Sequence, residues 1–363
     1  MRLRCLIPFI GVLLLASCGG QAAAPGSGAP ASAARPSAAA VGSSAPASTA
    51  AVGSAAAKPA GQGTHLTMSY SQLAGDQMVP WVAKESGIFA QNGLNVDNKL
   101  VASTTGISAL IGGDVDLATI GGSEAMGAAA GGADVAIVAN LAPVYTFKLM
   151  VGPDIKTKDD LVGKKLGFTR PGSTTDTGTR DLLKKIGLQP DKDVSMVPLG
   201  ADKASTVAAL LNGTVQGILQ QPPDNLETED KGYHGLYDLA SMGLPAAAAV
   251  VVAQRSWIAA HHDVMQKFMD SLVQATIREK KDPAIGEAVI RKYYKTDDER
   301  TVKYMYEYHS AIHPVLPYPK LEQFADIIPA IKAQNKNAEN FDFAHVLDPS
   351  FVQSAADRGL DKS

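Results

Sequence analysis

A short apolar run, a glycine turn and a helix start follow one another between Asp160 and Gly187, and this unit sets the terms for the rest of the chain. Leu166-Gly167-Phe168 has the length of a buried strand and Arg170-Pro171-Gly172 turns. Ser173-Thr174-Thr175-Asp176 then opens a helix with Leu182, Leu183 and Ile186 on one face. Ser173 and Asp176 have the spacing of a capping box, in which each side chain satisfies a backbone N–H that the first turn leaves unpaired. Gly187, just past Lys184 and Lys185, ends the helix. A strand end of this kind brings free N–H groups, hydroxyls and the positive end of a helix dipole into one crevice, which suits a small polar or anionic ligand.

The same grammar runs through the chain. Leu66 to Tyr70 alternates as a strand, Pro80 to Ser86 reads as a helix with proline in its first turn, and Gly87 follows its end. Leu94-Asn95-Val96, Asp116 to Ile120 and Ala136 to Ala139 are further short strands, with a helix expected from Thr104-Thr105-Gly106 onward. Strands alternating with helices predict an α/β fold with mostly parallel sheets. A faint repeat lies within it: Ile107-Ser-Ala-Leu-Ile-Gly-Gly-Asp-Val115 and Val207-Ala-Ala-Leu-Leu-Asn-Gly-Thr-Val215 share Ala109/Ala209, Leu110/Leu210, Gly113/Gly213 and Val115/Val215. Each is an apolar helix, a glycine stop and a strand, followed by Gly121-Gly122-Ser123 or Gln220-Gln221-Pro222, as two similar lobes would give. The pattern from Asp263 onward is helical, with Val264, Phe268, Leu272 and Ile277 as one stripe and Tyr304 with Tyr308 as another, both expected to pack in the core.

Little of this can begin before residue 64. Met1-Arg2-Leu3-Arg4 is a charged leader, Cys5 to Leu15 an apolar stretch too short to span a bilayer, and Leu15-Ala16-Ser17-Cys18 a cleavage site ending in cysteine. Residues 1–18 therefore read as a lipoprotein signal with Cys18 as the lipidated residue. Residues 19–63 are almost wholly Ala, Ser, Pro and Gly, too poor in apolar bulk to offset their ordering entropy, and are expected to be a tether reaching roughly 35–40 Å. The two cysteines are Cys5 and Cys18, so no thiol is left to the folded part for a disulfide, a zinc site or a nucleophile. Four of the 33 basic and none of the 36 acidic residues precede Thr64, which leaves 29 basic against 36 acidic and a net charge of −7. A nucleic-acid partner is disfavoured.

Four stretches in order carry a resemblance. They are Met78-Val-Pro-Trp-Val-Ala-Lys-Glu-Ser-Gly-Ile-Phe-Ala-Gln-Asn-Gly-Leu-Asn-Val96, Gly113-Asp-Val-Asp-Leu117, Asp160-Leu-Val-Gly-Lys-Lys-Leu-Gly-Phe-Thr-Arg-Pro-Gly-Ser173 and Leu347-Asp-Pro-Ser-Phe351. Behind a lipobox and tether, this order resembles the extracytoplasmic substrate-binding proteins of ABC importers, within them the group for nitrate, sulfonates, taurine and thiamine-precursor pyrimidines. The resemblance covers about Leu66 to Leu360. It implies a two-lobe periplasmic-binding-protein-like fold of type II, with two crossing hinge strands near 142–145 and 241–244. Lobe I would be residues 64–145 plus 243–363, and lobe II residues 146–242. It further implies a monomer that captures a small molecule, holds no cofactor or metal, and hands its ligand to a permease subunit and its ATPase. The protein would be lipid-anchored to a bacterial membrane, in the periplasm or on the outer cell surface. The fungal pyrimidine synthases of related fold use a cysteine-rich motif that this chain lacks.

The resemblance and the physics of open α/β sheets both place ligand contacts at the carboxyl ends of strands. The candidates are Gln72, Thr104, Thr105, Ser123 and Asn140 on the first lobe, and Arg170, Ser173, Thr174, Thr175, Gln220 and Gln221 on the second. Hydroxyls and amides dominate and Arg170 is the one cation, which suits a neutral or singly charged ligand: a sulfonate, a carboxylate, or a pyrimidine stacked on Trp81, Tyr145 or Phe147. Asp176 would oppose a strongly charged anion. Two other readings are open. Gly121-Gly-Ser-Glu-Ala125 approximates the Gly-x-Ser-x-Gly elbow of a lipid-anchored serine hydrolase using Ser123, but no motif marks a base among His234, His261, His262, His309 and His313. A ligand sensor of a signalling system would share every residue with the importer reading. His309 and His313 stand four apart as zinc ligands can, but Ser310 occupies the place of a metalloprotease glutamate, so a packing or solvated pair is expected.

Overall fold

The computed structural model describes residues 63–200 and 203–362. The signal segment with Cys18 and the tether up to residue 62 lie outside the described residues. In chain order the elements are β1 (Thr64–Tyr70), α1 (Val79–Glu85), α2 (Ile88–Gln91), β2 (Leu94–Leu100), α3 (Ser103–Gly112), β3 (Leu117–Ile120), α4 (Gly122–Ala130) and β4 (Val135–Asn140). Next come β5 (Lys148–Val151), β6 (Lys165–Phe168), α5 (Thr174–Lys185), β7 (Ser195–Pro198), α6 (Lys203–Leu211), β8 (Gly217–Gln220), α7 (Asp224–Glu229), β9 (His234–Asp238) and β10 (Val250–Gln254). The chain ends in helices: α8 (Arg255–Ala260), α9 (His262–Lys281), α10 (Pro283–Tyr294), α11 (Glu299–Ile312), α12 (Ile327–Gln334) and α13 (Ser350–Asp357).

The strands form two sheets of five, ordered β2-β1-β3-β10-β4 and β7-β6-β8-β5-β9. In each, one strand runs against the other four: β10 lies antiparallel between β3 and β4, and β5 antiparallel between β8 and β9. The remaining neighbours are parallel. The odd strand is in both cases the first one after the chain changes sheets. The chain leaves the first sheet after β4 and returns after β9, and the two passing segments meet antiparallel at Val144 and Pro245.

This symmetry explains the faint repeat. α3 with β3 and α6 with β8 hold equivalent places in the two sheets, each strand lying between a parallel neighbour, β1 or β6, and the reversed strand, β10 or β5. Leu110 and Leu210 are buried beneath their sheets, as are Val115 and Val215. Gly113 and Gly213 stop their helices at φ +82° and +78°, a conformation in which a Cβ would be strained.

Alternation along the strands divides the core into layers. On β10, Val251 and Ala253 face one side of the first sheet, packed with Phe268 and Leu272 of α9, while Val250 and Val252 face the other, with Phe324 and Ala125. In the second sheet Leu149 and Val151 separate in the same way from Met150. The expected stripe on α9 is there, with Phe268 and Leu272 buried, but its other buried apolar members are Met265, Met269, Val273 and Ala275, and Val264 and Ile277 lie at its margins. Tyr304 and Tyr308 depart from the core expectation. They reach from α11 to the other sheet's unit, where the Tyr304 hydroxyl accepts from Asn225 Nδ2 at 2.8 Å and the Tyr308 hydroxyl donates to Asp238 at 3.1 Å. Lys148 Nζ stands 4.9 Å from the Tyr304 ring centroid. Their periodicity marks an apolar face; that this face covers the second lobe is a tertiary fact.

Candidate functional site

The start of α5 is held by a closed set of hydroxyls. Thr169 Oγ1 donates to Ser173 Oγ at 2.8 Å and lies 2.9 Å from Thr175 Oγ1, which also accepts from the Thr169 backbone N–H at 3.0 Å. Ser173 is the N-cap and accepts from Asp176 N at 3.4 Å. The reciprocal half of the expected capping box is displaced by one residue: Asp176 accepts from the N–H of Gly172 at 2.9 Å, not from that of Ser173. Gly172 sits at φ +76°, which turns its N–H toward the helix. Asp176 is also buried against Arg180, 2.7 Å away, so the carboxylate expected to repel an anion already has its cation. Arg170 is exposed and forms no ion pair among the described residues.

At the end of β8, Gln220 is only 5 % exposed, and among the described residues neither Nε2 nor Oε1 of its amide has a partner. The next residue reaches across the cleft: Gln221 Nε2 donates to Asp76 Oδ2 at 3.2 Å and to Thr146 Oγ1. Asp76 lies in a buried 3-10 turn, Gly75–Gln77, beyond β1, where Gln72 Nε2 also approaches it at 3.4 Å. Burial pushes the Asp76 carboxyl up to about 6, opposed by the Gln221 amide, by His313, and by Gln72 and Thr146. Between these groups lies a cavity of about 320 Å³ walled by Gln72 from one lobe and by Ser173, Thr174, Thr175, Gln220 and Gln221 from the other. Phe147, Thr169 and Asp224 line it as well.

Six of the expected site residues thus share one cavity. Ser123 and Thr174 meet in a narrower cleft alongside, with Tyr145 and Asp326. There the Ser123 hydroxyl donates to Glu124 at 2.8 Å and the Tyr145 hydroxyl to Asp181 at 3.0 Å. Burial and the neighbouring Asp326 carboxyl push Asp181 up to about 7. The other expected residues lie elsewhere. Thr104 and Thr105 are exposed in the first turn of α3, and neither lines these two cavities. Asn140 is fully buried and its amide is occupied: Nδ2 donates to Ala246 O and Gln323 Oε1 at 2.9 Å, and Oδ1 accepts from Ala142 N. It ties the two passing segments together. Of the three aromatic faces, Trp81 is a fully buried core residue stacked on Tyr293, and Phe147 is the one in the main cavity. Asp76 and Thr169 had no signal of their own in the sequence, since a single acid in a turn and a threonine after a strand are unremarkable locally.

His309 and His313 are buried, with ring centroids 6.3 Å apart. His313 Nδ1 donates to both Glu279 oxygens at 3.0 and 3.1 Å. Burial, with His313 adding, pushes His309 down to about 3. They are a packing pair behind Asp76. Among the described residues no group of three or more His, Cys, Asp or Glu side chains is placed to hold a metal ion.

Asp76 gives the fold a pH dependence with a definite sign. Its carboxyl holds its proton more tightly in the folded protein than at its ordinary 3.8, so its contribution to stability is complete below about 4 and is lost as pH rises through 6. Asp76→Asn is expected to flatten the slope of unfolding free energy between pH 4 and 7, by on the order of 2–3 kcal/mol across the window. Urea titrations at a series of pH values measure this, and a slope unchanged from wild type would mean that another group carries the titration.

The sequence profile described as "NMT1/THI5 like" matches residues 77–284, more than half of the chain. The chain belongs to the NMT1/THI5-like family. No curated protein matches it. Among solved structures, a putative sulfonate ABC transporter periplasmic sulfonate-binding protein SsuA from Methylobacillus flagellatus superposes with a TM-score of 0.66 at 18% identity, covering 83% of this chain and 96% of its own. The periplasmic nitrate-binding protein NrtA from Synechocystis gives 0.57 at 16% identity, covering 82% and 89%. A DszB variant in complex with biphenyl-2-sulfinic acid gives 0.60 at 14% identity, covering 81% and 99%. At these identities the likeness is one of fold: this NMT1/THI5-like chain has the two-lobe architecture of periplasmic binding proteins. No helix of the described residues is long and apolar enough to cross a membrane.

Proposed function

We propose that this protein is the solute-binding receptor of an ABC importer, closing two lobes on a small polar organic ligand and delivering it to a membrane permease powered by a separate ATPase. The observation that carries the reading is the cavity of about 320 Å³ whose walls come from both sides of the cleft, with Gln72 facing the β6 and β8 loops. A ligand can shift an opening and closing equilibrium only by contacting the two states differently, and one that bridges both walls does so. The Gln221 to Asp76 bond shows that the groups across the cleft come within contact range. Ser123 donates to an acid rather than to a histidine, which supports a binding role over the hydrolase reading. In this proposal lobe I comprises residues 64–145 and 243–363, lobe II residues 146–242, and Cys18 carries a lipid that keeps the monomer outside the cytoplasm at the membrane.

One experiment addresses both parts. The full chain is expected in the membrane fraction and Cys18→Ser in the soluble fraction, because several acyl chains anchor firmly where none does. Both forms should respond alike to a library thermal-shift screen, in which a ligand at a hundred times its Kd stabilises by about 2.7 kcal/mol. Gln221→Ala should weaken the hit by about 1–3 kcal/mol. A hit indifferent to Gln221, or none at all, counts against the cleft as a receptor site.

A further inference from the structure

We propose that Asp181 and Asp326 form a proton-operated latch across the cleft: with one proton shared between their carboxyls they hold its two sides together, and without that proton they drive them apart. Asp181 stands on α5, which belongs to the second sheet, and Asp326 at the entry to α12, whose Ile327, Ile328 and Ile331 pack on the core of the first. The two carboxyls come within hydrogen-bond reach of each other, and Asp326 lines the narrow cleft together with Tyr145, Thr174 and Thr177. Two ionised carboxylates at that range repel, so the contact holds only when one of them keeps a proton.

Each acid is brought there by its own element. Gly178 lets α5 lie against the ring of Tyr145, since a Cβ at that position would stand 3.1 Å from it. Asp181 follows one turn later on the same face, and the Tyr145 hydroxyl donates to its Oδ2 at 3.0 Å. Tyr145 is buried where the chain crosses between sheets, which fixes this half of the contact at the crossing. On the other side Asp326 holds the N-cap place of α12, yet its carboxyl accepts no N–H from that helix. An aspartate there ordinarily caps its own helix, and here the side chain goes to Asp181 instead. Around the pair stand Lys184 of α5, 3.4 Å from Asp181 but mostly exposed, and Glu124 of α4, whose carboxyl takes the Ser123 hydroxyl. Arg180, beside Asp181 in the chain, is engaged by Asp176 and Asp191.

The sign follows from the two states. With the cleft open, each carboxyl meets water and behaves as an ordinary aspartate. With it closed, burial and the facing Asp326 keep the proton on Asp181 up to about 7. The closed form has its full advantage below about 4 and loses it as pH rises through 7, so closing takes up about one proton from solvent. The latch needs only that the two sides of the cleft move against each other, whatever the ligand.

The test uses the full chain in detergent, with Cys5 and Cys18 changed to serine and spin labels attached at Lys192→Cys, beyond α5, and Ala333→Cys, on α12, both exposed positions. The ratio of short to long separations is expected to rise about 10–100-fold from pH 8 to pH 5, less than the full linkage because the pair is partly exposed. Asp326→Asn supplies an NH2 group to the Asp181 carboxylate, so it should keep the short separation at pH 8 and lose most of the pH response. Asp326→Leu has no bond to offer and should stay longer than wild type at pH 5. Asp76 also titrates in this window and is present in all three proteins, so the difference between them belongs to the pair. A wild-type ratio that rises less than about threefold, or one that rises as much in Asp326→Asn, overturns the latch and leaves the receptor reading standing. One fixed separation in every protein at every pH would mean that the two sides do not move, and the receptor reading would fall as well.

Discussion

Replacing His313 with leucine is expected to destabilise the protein by about 3–5 kcal/mol, because it strips a buried carboxylate of its donor. Glu279 and His313 are both fully buried, and the His313 Nδ1 proton is shared between the two Glu279 oxygens at 3.0 and 3.1 Å. Leucine fills much of the ring's volume, so the cost comes from the stranded Glu279 rather than from a cavity. The control is the double variant His313→Leu with Glu279→Leu. A well-packed apolar pair in place of a buried ionic one is often neutral or stabilising, so the double variant should recover most of the loss. Urea unfolding of the wild type, the single and the double variant decides the matter. A single variant as stable as wild type would show that Glu279 needs no partner there.

Trp81→Ala is expected to cost a similar amount, about 3–5 kcal/mol, for a different reason. The ring is fully buried, stacked on Tyr293 at 4.5 Å with an 8° interplanar angle and met edge-on by Tyr70 at 5.1 Å. Its removal opens a void at the junction of β1, α1 and α10, where the stack joins the first lobe to its C-terminal helices. One effect opposes the loss: Trp81 Nε1 has no hydrogen-bond partner among the described residues, and removing an unsatisfied donor returns part of the cost. The result should therefore fall in the lower half of the range, with Trp81→Phe milder still. Trp257 is the other of the chain's two tryptophans and remains as the fluorescence reporter. A loss under about 1 kcal/mol would mean that the neighbouring side chains collapse into the space.

How much of this could be read from the chain depended on how local each cause was. Gly87, Gly113, Gly187 and Gly213 mark helix ends because their positive φ angles are set within a few residues, and the short strands beside them were legible for the same reason. The Ser173 cap was legible too, but not the detail that Asp176 answers Gly172, which depends on the angle of the turn. Strands β5 and β10 carry no signal of direction, since what reverses them is the passage between sheets. The site divided along the same line. The β6 and β8 loops announced their hydroxyls and amides, whereas Asp76 became part of the cleft only because Gln221, 145 residues away, bonds to it. Asn140 and Trp81 are both fully buried, and a polar residue at a strand end and an aromatic ring look alike in sequence whether they serve a ligand or the interior.

The reversed strands also impose an order on synthesis. β4 pairs with no strand other than β10, and β3 has only β1 on its far side, so the first sheet stays divided until Val250–Gln254 leaves the ribosome. The second sheet has no such gap: β5 precedes its partners, and β9 completes it before β10 is made. The half of the molecule that begins first is therefore the half that finishes last, and the nascent chain carries an unpaired, wholly buried-type strand, Val135–Asn140, across more than a hundred residues of growth. That interval keeps the first sheet from closing before the second is made.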